Sequence, residues 1–320
     1  MAKVEINVKF ETITPLWTGD AWMENSGIRP SSLIGSLRFW FEVYRKVCKG
    51  EGIKLNDKGI PDENLDYKKF KEELSKNLKE MKDTEDFNEV IDGILKNNGI
   101  SVSSRIFGCN GWKSRAKIQI ESYRSEVIKK ENINEVFPQN ESFWIGKSLF
   151  NEKDEITVFN ELSVKLSADK YWFDRYLKEF FDFYSDKIIL IGGKKSFGFG
   201  FVRLSYGSSS KNNCSDFALH YFYEEICFRP KTLKDNKGAI LGYSLRHYLR
   251  RRENKRNREV IFGIQGEASS VYISNFKPDE DQKLKLIIIK NPFDDKVFKE
   301  EVASVAEKLK NWLKELEDNK

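Results

Sequence analysis

Two stretches of this chain return later in the same order, which narrows the folds open to it. SSLIGSLRFWF (31–41) is answered by KGAILGYSLRHYLRRR (237–252), with a one-residue slip between Gly35 and Ser36. RIFGCNGWKSRAKIQI (105–120) is answered by VIFGIQGEASSVYIS (260–274), where Phe107, Gly108 and Gly111 match Phe262, Gly263 and Gly266 without a gap. Around these pairs the periodicity changes in a repeated way. Val4 to Thr12 alternates as a strand does, and Leu33, Leu37, Trp40, Phe41, Tyr44 and Val47 recur at helical spacing, with Ser31 or Ser32 suited to capping the first turn. FALHYFYEEICFRP and LKLIIIK read as strands of the second half. The C-terminal helix carries Val302, Val305, Leu309, Leu313 and Leu316 on one face. The order strand, loop, helix, strand, strand, helix in both halves, with a final strand visible only in the first, predicts an α+β chain of two ferredoxin-like (RRM-like) domains. The expected boundaries are 1–205 and 215–320, with SYGSSSKNNCSD as the linker and a polar insertion over about 49–99. One larger α+β domain with coincidentally similar glycine turns is the alternative.

The composition fits this plan. At 320 residues and 39% apolar content the chain can bury a sizeable core, and two domains suit its length. It has no apolar run long enough for a membrane span, and it opens on the strand-like KVEINVKF rather than a signal segment, so a cytoplasmic location is expected. Cys48, Cys109, Cys214 and Cys227 lack the close spacing of zinc ligands, and only His220 and His247 could join them, so isolated thiols and neither metal nor cofactor are expected. Lys plus Arg exceed Asp plus Glu by only 55 to 50, so any case for nucleic acid rests on local clusters.

Three clusters stand out. IGGKKSFGFG (191–200) combines Gly192, Gly193, Gly198 and Gly200 with Lys194, Lys195 and Ser196. Bare backbone permits close approach, consecutive amides can form an anion-binding nest, and lysines beside them suit phosphates; a tight structural turn is the other reading. RHYLRRRENKRNR (246–258) holds seven basic residues, Arg246, Arg250, Arg251, Arg252, Lys255, Arg256 and Arg258, against the single acid Glu253. A helix end explains part of that density; phosphate neutralisation explains more. Arg29, Arg38, Arg105, Lys113 and Arg115 flank the first helix and the phenylalanine-glycine turn, and Trp17 and Trp22 could stack on unpaired bases or pack beneath their loop. Trp172, Tyr176, Phe180 and Phe183 or Tyr184 form a helical stripe better suited to a core. His220 and His247 have no local acid-base partner, and Asp20 no companion carboxylate.

ITPLWTGDAW, IRPSSLIGSLRFWF, the two phenylalanine-glycine turns and GGKKSFGFG together resemble the RAMP proteins of CRISPR effector complexes, closest to the first-numbered RAMP subunit of type III-B (Cmr) complexes. The resemblance implies a noncatalytic RNA-binding subunit that holds the 3′ region of guide RNA and engages target RNA beside other Cmr subunits. It places Gly192 through Gly200, and Ser31, Ser32 and Arg38, at or beside the guide backbone. A RAMP-like metal-independent endoribonuclease using His220 or His247, or a purely structural adaptor, are the alternatives.

Overall fold

The computed structural model describes residues 2–19, 25–51, 63–81, 86–132, 146–151, 153–206, 214, 217, 220–227, 241–263, 269–275, 283–289 and 299–318. The first half builds a five-stranded antiparallel sheet from β1 (Lys3–Thr12), β2 (Ala116–Lys129), β3 (Glu155–Asp169), β4 (Ile188–Leu190) and β5 (Phe201–Ser205), in the order β2-β3-β1-β5-β4. Its helices are α1 (Pro30–Lys49), α2 (Tyr67–Glu80), α3 (Phe87–Asn97), α4 (Val102–Phe107) and α5 (170–184), the last widened by a π-helical turn at Phe173–Leu177. The second half pairs β6 (Tyr221–Cys227), β7 (Val271–Ile273) and β8 (Lys283–Ile289) in the order β6-β8-β7, with α6 (Leu241–Arg252), α7 (Lys255–Phe262) and α8 (Lys299–Asp318). This is the mixed α/β architecture of tandem ferredoxin-like units.

Alternation along β1 decides which face of the first sheet is covered. Val8, Phe10 and Thr12 are buried, while Lys3, Glu5, Asn7, Lys9 and Glu11 are exposed. Across the register Asn7 opposes Lys165, which opposes Gln119, and Glu5 opposes Ser167. The Lys165 ammonium lies 3.7 Å from Glu5 and 3.8 Å from Glu121, a charge ladder across three strands. The stripe predicted for α5 lies on the covered side, where Trp172, Tyr176, Phe180, Phe183 and Tyr184 are all buried.

The continuous apolar run of β8 reflects burial on both faces. Leu284, Leu286 and Ile288 join the core under α6 and α8, whereas Ile287 and Ile289 join the core of the first half. The second sheet is therefore clamped against the first half, and the Tyr221 hydroxyl donates to the Ile188 carbonyl across that seam.

Several local expectations change. Arg29, rather than either serine, occupies the N-cap of α1, and Pro30 opens the helix, placing Ser31 and Ser32 inside it. The polar 49–99 segment also adds to the core, with Leu65, Phe70, Ile91, Ile94 and Leu95 buried in the main cluster. Asp92 of α3 pairs with Arg105 and accepts the Tyr171 and Tyr176 hydroxyls, so a polar-looking stretch supplies the acid that neutralises a buried arginine. Isolated thiols were expected throughout, yet Cys48 at the end of α1 and Cys214 are joined as a disulfide, their Cα atoms 5.7 Å apart; Cys109 and Cys227 are free. Their separation of 166 residues hid the pairing from spacing rules. The strand-like run SFWIG (142–146) falls almost wholly outside the described residues.

Candidate nucleic-acid interface

The echo in sequence is an echo in hydrogen bonds. Arg38 donates to the Gly108 carbonyl and to Ser104 Oγ, each at 2.8 Å, and its Nε meets Glu42 at 2.8 Å. Its counterpart Arg246 donates to the Phe262 carbonyl and, at 3.1 Å, to Ser269 Oγ. Ser114 Oγ donates to the Ala116 carbonyl and Ser269 Oγ to the Val271 carbonyl, at matching places of the two turns. In each half one arginine ties the long helix to the phenylalanine-glycine turn. These two arginines are staples, with their donors committed inside the protein.

Other predicted contacts are also turned inward. Arg105 is buried against Asp92 and the Tyr176 ring. Arg115 lies 4.2 Å from the Trp112 ring centroid. Trp17 is 4% exposed and packs beside Phe199, leaving no face for a base. Trp22 lies outside the described residues. Arg29, Ser31 and Lys113 are exposed, and Ser32 reaches the Thr18 carbonyl at 3.4 Å.

The glycine loop joins β4 to β5, and its bare backbone receives protein. A Cβ on Gly192 would stand 2.3 Å from the Trp17 carbonyl, and one on Gly200 would stand 2.1 Å from the Ile191 carbonyl. At Gly198, where φ is +83°, a Cβ would meet Asn275 Oδ1 at 2.6 Å and the Ile273 carbonyl at 2.8 Å, both from the second half. Asn275 closes this seam by donating to the Phe197 carbonyl at 2.8 Å and accepting the Gly242 amide at 2.9 Å. The expected anion nest is largely occupied. The Gly192 amide donates to Ser36 Oγ, and those of Gly193, Phe197, Gly198 and Gly200 donate to the carbonyls of Trp17, Lys194, Lys195 and Pro15.

The two loop lysines differ. Lys194 Nζ donates to the Ser148 carbonyl and lies near the Trp17 and Phe197 rings. Lys195 has no hydrogen bond or ion pair among the described residues; its ammonium lies 5.8 Å from the Phe39 ring centroid, and burial alone pushes its pKa down to about 8. Ser196 beside it is half-buried.

Helix α6 begins on this loop. Phe197 stacks on Tyr243 at 4.6 Å, and Tyr243 on His247 at 5.9 Å; the i, i+4 spacing carries the same face on to Arg251. Arg251, Arg252 and Lys255 are exposed, with Arg252 over the Tyr248 ring at 3.8 Å. Arg250 and Arg258 are half-buried, Arg258 donating to the Glu253 carbonyl; the side chain of Arg256 is outside the described residues. Burial and the charges of Arg251, Arg250 and Arg246 hold the His247 pKa below its ordinary value, which favours neutral imidazole. His220 is half-buried, its backbone amide donating to the Phe217 carbonyl. Among the described residues no three His, Cys, Asp or Glu side chains gather as metal ligands, and no helix is long and apolar enough to cross a membrane.

Ser36, Asn275, Tyr243 and Phe39 were not singled out from sequence. Ser36 carried a signal, since Ser244 answers it in the repeat; Asn275 carried none, because its role depends on a partner loop in the other half.

The sequence profile described as the RAMP superfamily matches residues 9–203, which spans both the first sheet and the glycine loop. The chain belongs to the RAMP superfamily. Solved structures similar to this RAMP protein include the apo form of Cmr1 from Pyrococcus furiosus, 15% identical over 93% of this chain and 90% of that one, with a TM-score of 0.42. A chain in the type III-B Cmr-beta complex bound to cognate target RNA is 11% identical, covering 98% and 100%, with a TM-score of 0.45. Cmr6 from Pyrococcus furiosus is 12% identical, covering 64% and 98%, with a TM-score of 0.27. No curated protein matches the chain.

Proposed function

We propose that this RAMP protein is a noncatalytic RNA-binding subunit of a type III-B CRISPR effector complex in the cytoplasm, where it helps hold the 3′ region of guide RNA and engage complementary target RNA beside other Cmr subunits. The observation that carries this reading is the continuity between the glycine loop and the basic helix. Buried Phe197 stacks on Tyr243 and Tyr243 on His247, with exposed Arg251 one turn further along α6 and Lys195 beside Phe39 at the loop end. Sequence had left these as two separate clusters. A strip with cations at both ends suits a flexible polyanion better than a compact small ligand.

The neutral-favouring surroundings of His247 give no support to it as a proton donor in RNA cleavage. The full-length chain, titrated with a short single-stranded RNA by fluorescence anisotropy at several salt concentrations, should bind with an affinity that falls steeply with salt. Crosslinking in the assembled complex should map RNA to the glycine loop and α6. Absence of binding at low salt, together with absence of crosslinks in the complex, overturns the reading.

A further inference from the structure

One face of α1 is left uncovered although most of the helix is packed. Ser31, Gly35 and Phe39 recur every fourth residue and all three are exposed, while Leu33, Ser36, Leu37 and Trp40 on the other sides are buried. Phe39 is 37% exposed, its ring edge-on to Trp40 at 5.4 Å. A Cβ on Gly35 would meet nothing within 4 Å, so no protein contact requires a glycine at a position where glycine weakens a helix. The stripe borders the glycine loop, because Ser36 accepts the Gly192 amide and the Lys195 ammonium lies over the Phe39 ring.

Lys195 supplies an independent sign of a ligand. A cation partly withdrawn from water gains from an anionic or carbonyl partner, and the Lys195 side chain is half-buried. Lys194, next in the chain, has such a partner in Ser148; Lys195 has none among the described residues. A partly exposed aromatic ring, an ammonium beside it with no hydrogen-bond or ion-pair partner among the described residues, and a strip of helix with no side chain between match the three parts of a nucleotide: base, phosphate and sugar.

We propose that Phe39 and Lys195 form one nucleotide subsite for single-stranded RNA, with the Phe39 ring stacking on an unpaired base, the Lys195 ammonium taking an adjacent phosphate and Gly35 leaving room for the sugar. This rests on the RNA-binding reading and sharpens it: the stacking residue lies on α1, and it is neither of the tryptophans expected from sequence. The subsite tolerates any base, because stacking uses the ring face and the ammonium contacts no base edge.

The test uses the full-length chain and short oligouridylates carrying 2-aminopurine at successive positions, read by anisotropy and by fluorescence. Wild type should quench the probe at one position. Phe39→Ala should remove that quenching and lower affinity about fivefold to a hundredfold, the range measured for a base stacked on an aromatic side chain, while Phe39→Trp restores both. An abasic RNA at that position should bind wild type as weakly as intact RNA binds Phe39→Ala. Lys195→Met should weaken binding yet keep the quenching at saturation. Circular dichroism melts confirm that each variant is folded. RNA binding by wild type that is indistinguishable from Phe39→Ala, with quenching unchanged, overturns the subsite and leaves the RNA-binding role standing. A wild-type chain without RNA contact, alone or in the complex, overturns both. Unchanged RNA affinity of Lys195→Met together with its loss from the assembled complex also overturns the subsite, assigning the ammonium to an acidic protein partner.

Discussion

The glycine loop and the basic helix that starts on it hold their positive charges in opposite ways. In the loop, Lys194 is tied to a carbonyl and Lys195 is half-buried with no hydrogen bond or ion pair among the described residues, so a single ammonium is left to act. In α6 and at the start of α7, Arg251, Arg252 and Lys255 stand in solvent, where charge is easily kept and loosely positioned. The loop is also a seam between the halves, whereas the exposed flank of the helix holds only Arg252 over the Tyr248 ring among these cations. Density of basic letters in a sequence therefore ranks the two regions in the wrong order of consequence per residue. A half-buried unpaired cation carries a large local effect, and an exposed one adds a small, salt-screened share.

The comparison breaks most visibly at Gly198. Valine there would drive a Cβ into Asn275 and the Ile273 carbonyl at a φ of +83°, so a loss on the order of 2–5 kcal/mol in urea unfolding is expected. Gly35→Ala, at a helical position with open space, should instead add about 0.5–1 kcal/mol. If the Gly198 variant is as stable as wild type, the loop is not the seam described here.

Next in size is Lys195→Met, for which binding should fall while stability does not. Replacing a half-buried ammonium that has no ion-pair partner among the described residues should leave the free protein at least as stable as wild type, with a gain of no more than about 1 kcal/mol. RNA affinity should fall about tenfold or more, as expected for a lost charge-assisted contact. A variant that loses both stability and binding would mean that Lys195 is a structural residue.

Much of the fold was legible because it depends on local periodicity. The alternation of β1, the apolar spacing of α1 and the aromatic stripe of α5 each required only neighbours in sequence, and the repeated phenylalanine-glycine turns disclosed the duplication. The site was legible at the level of segments and far less so for individual side chains. Arg38 and Arg246 look like phosphate ligands in a string of letters, yet both close a turn some distance along the chain. Glycines that invite a phosphate invite a carbonyl equally well, and here Trp17, Ile191 and Ile273 supply it. Arg105 looked like a phosphate ligand beside the phenylalanine-glycine turn; packing of α3 against α4 makes it a buried pair with Asp92. Phe39 could not be told from the core residues around it until the glycine loop fixed which face of α1 stays open.

The pH profile should sharpen the contrast further. With no ligand, burial holds Lys195 near 8, below the usual lysine value, so it is charged at neutral pH and neutral well above that. A bound phosphate favours the charged form and raises its pKa. Below about pH 8 both free and bound protein carry the proton and affinity is flat; between the free and bound values RNA binding must take up a proton, and affinity falls by as much as tenfold per pH unit. Lys195→Arg should flatten that decline, since a guanidinium stays charged. A fall above pH 8 that persists in Lys195→Met would place its origin elsewhere.

The smallest effect belongs to the exposed cations themselves. Arg251→Gln and Lys255→Gln touch side chains in solvent, so each should leave stability within about 0.5 kcal/mol of wild type. If each neutralises one phosphate of a single strand, the slope of log affinity against log salt should become shallower by about 0.7 per substitution, with a loss of roughly a few-fold at low salt. RNAs of unrelated sequence should be weakened alike, because phosphates carry no base identity. Lys195→Met should also shallow the slope, but by no more than either exposed residue, while costing far more affinity at any one salt concentration. That separation, similar slope change and dissimilar affinity change, is what distinguishes a positioned contact from a diffuse one. Equal slopes for wild type and the Arg251/Lys255 double variant, in the free chain and in the assembled complex, would remove the helix from the RNA surface and leave the glycine loop and α1 to hold the strand.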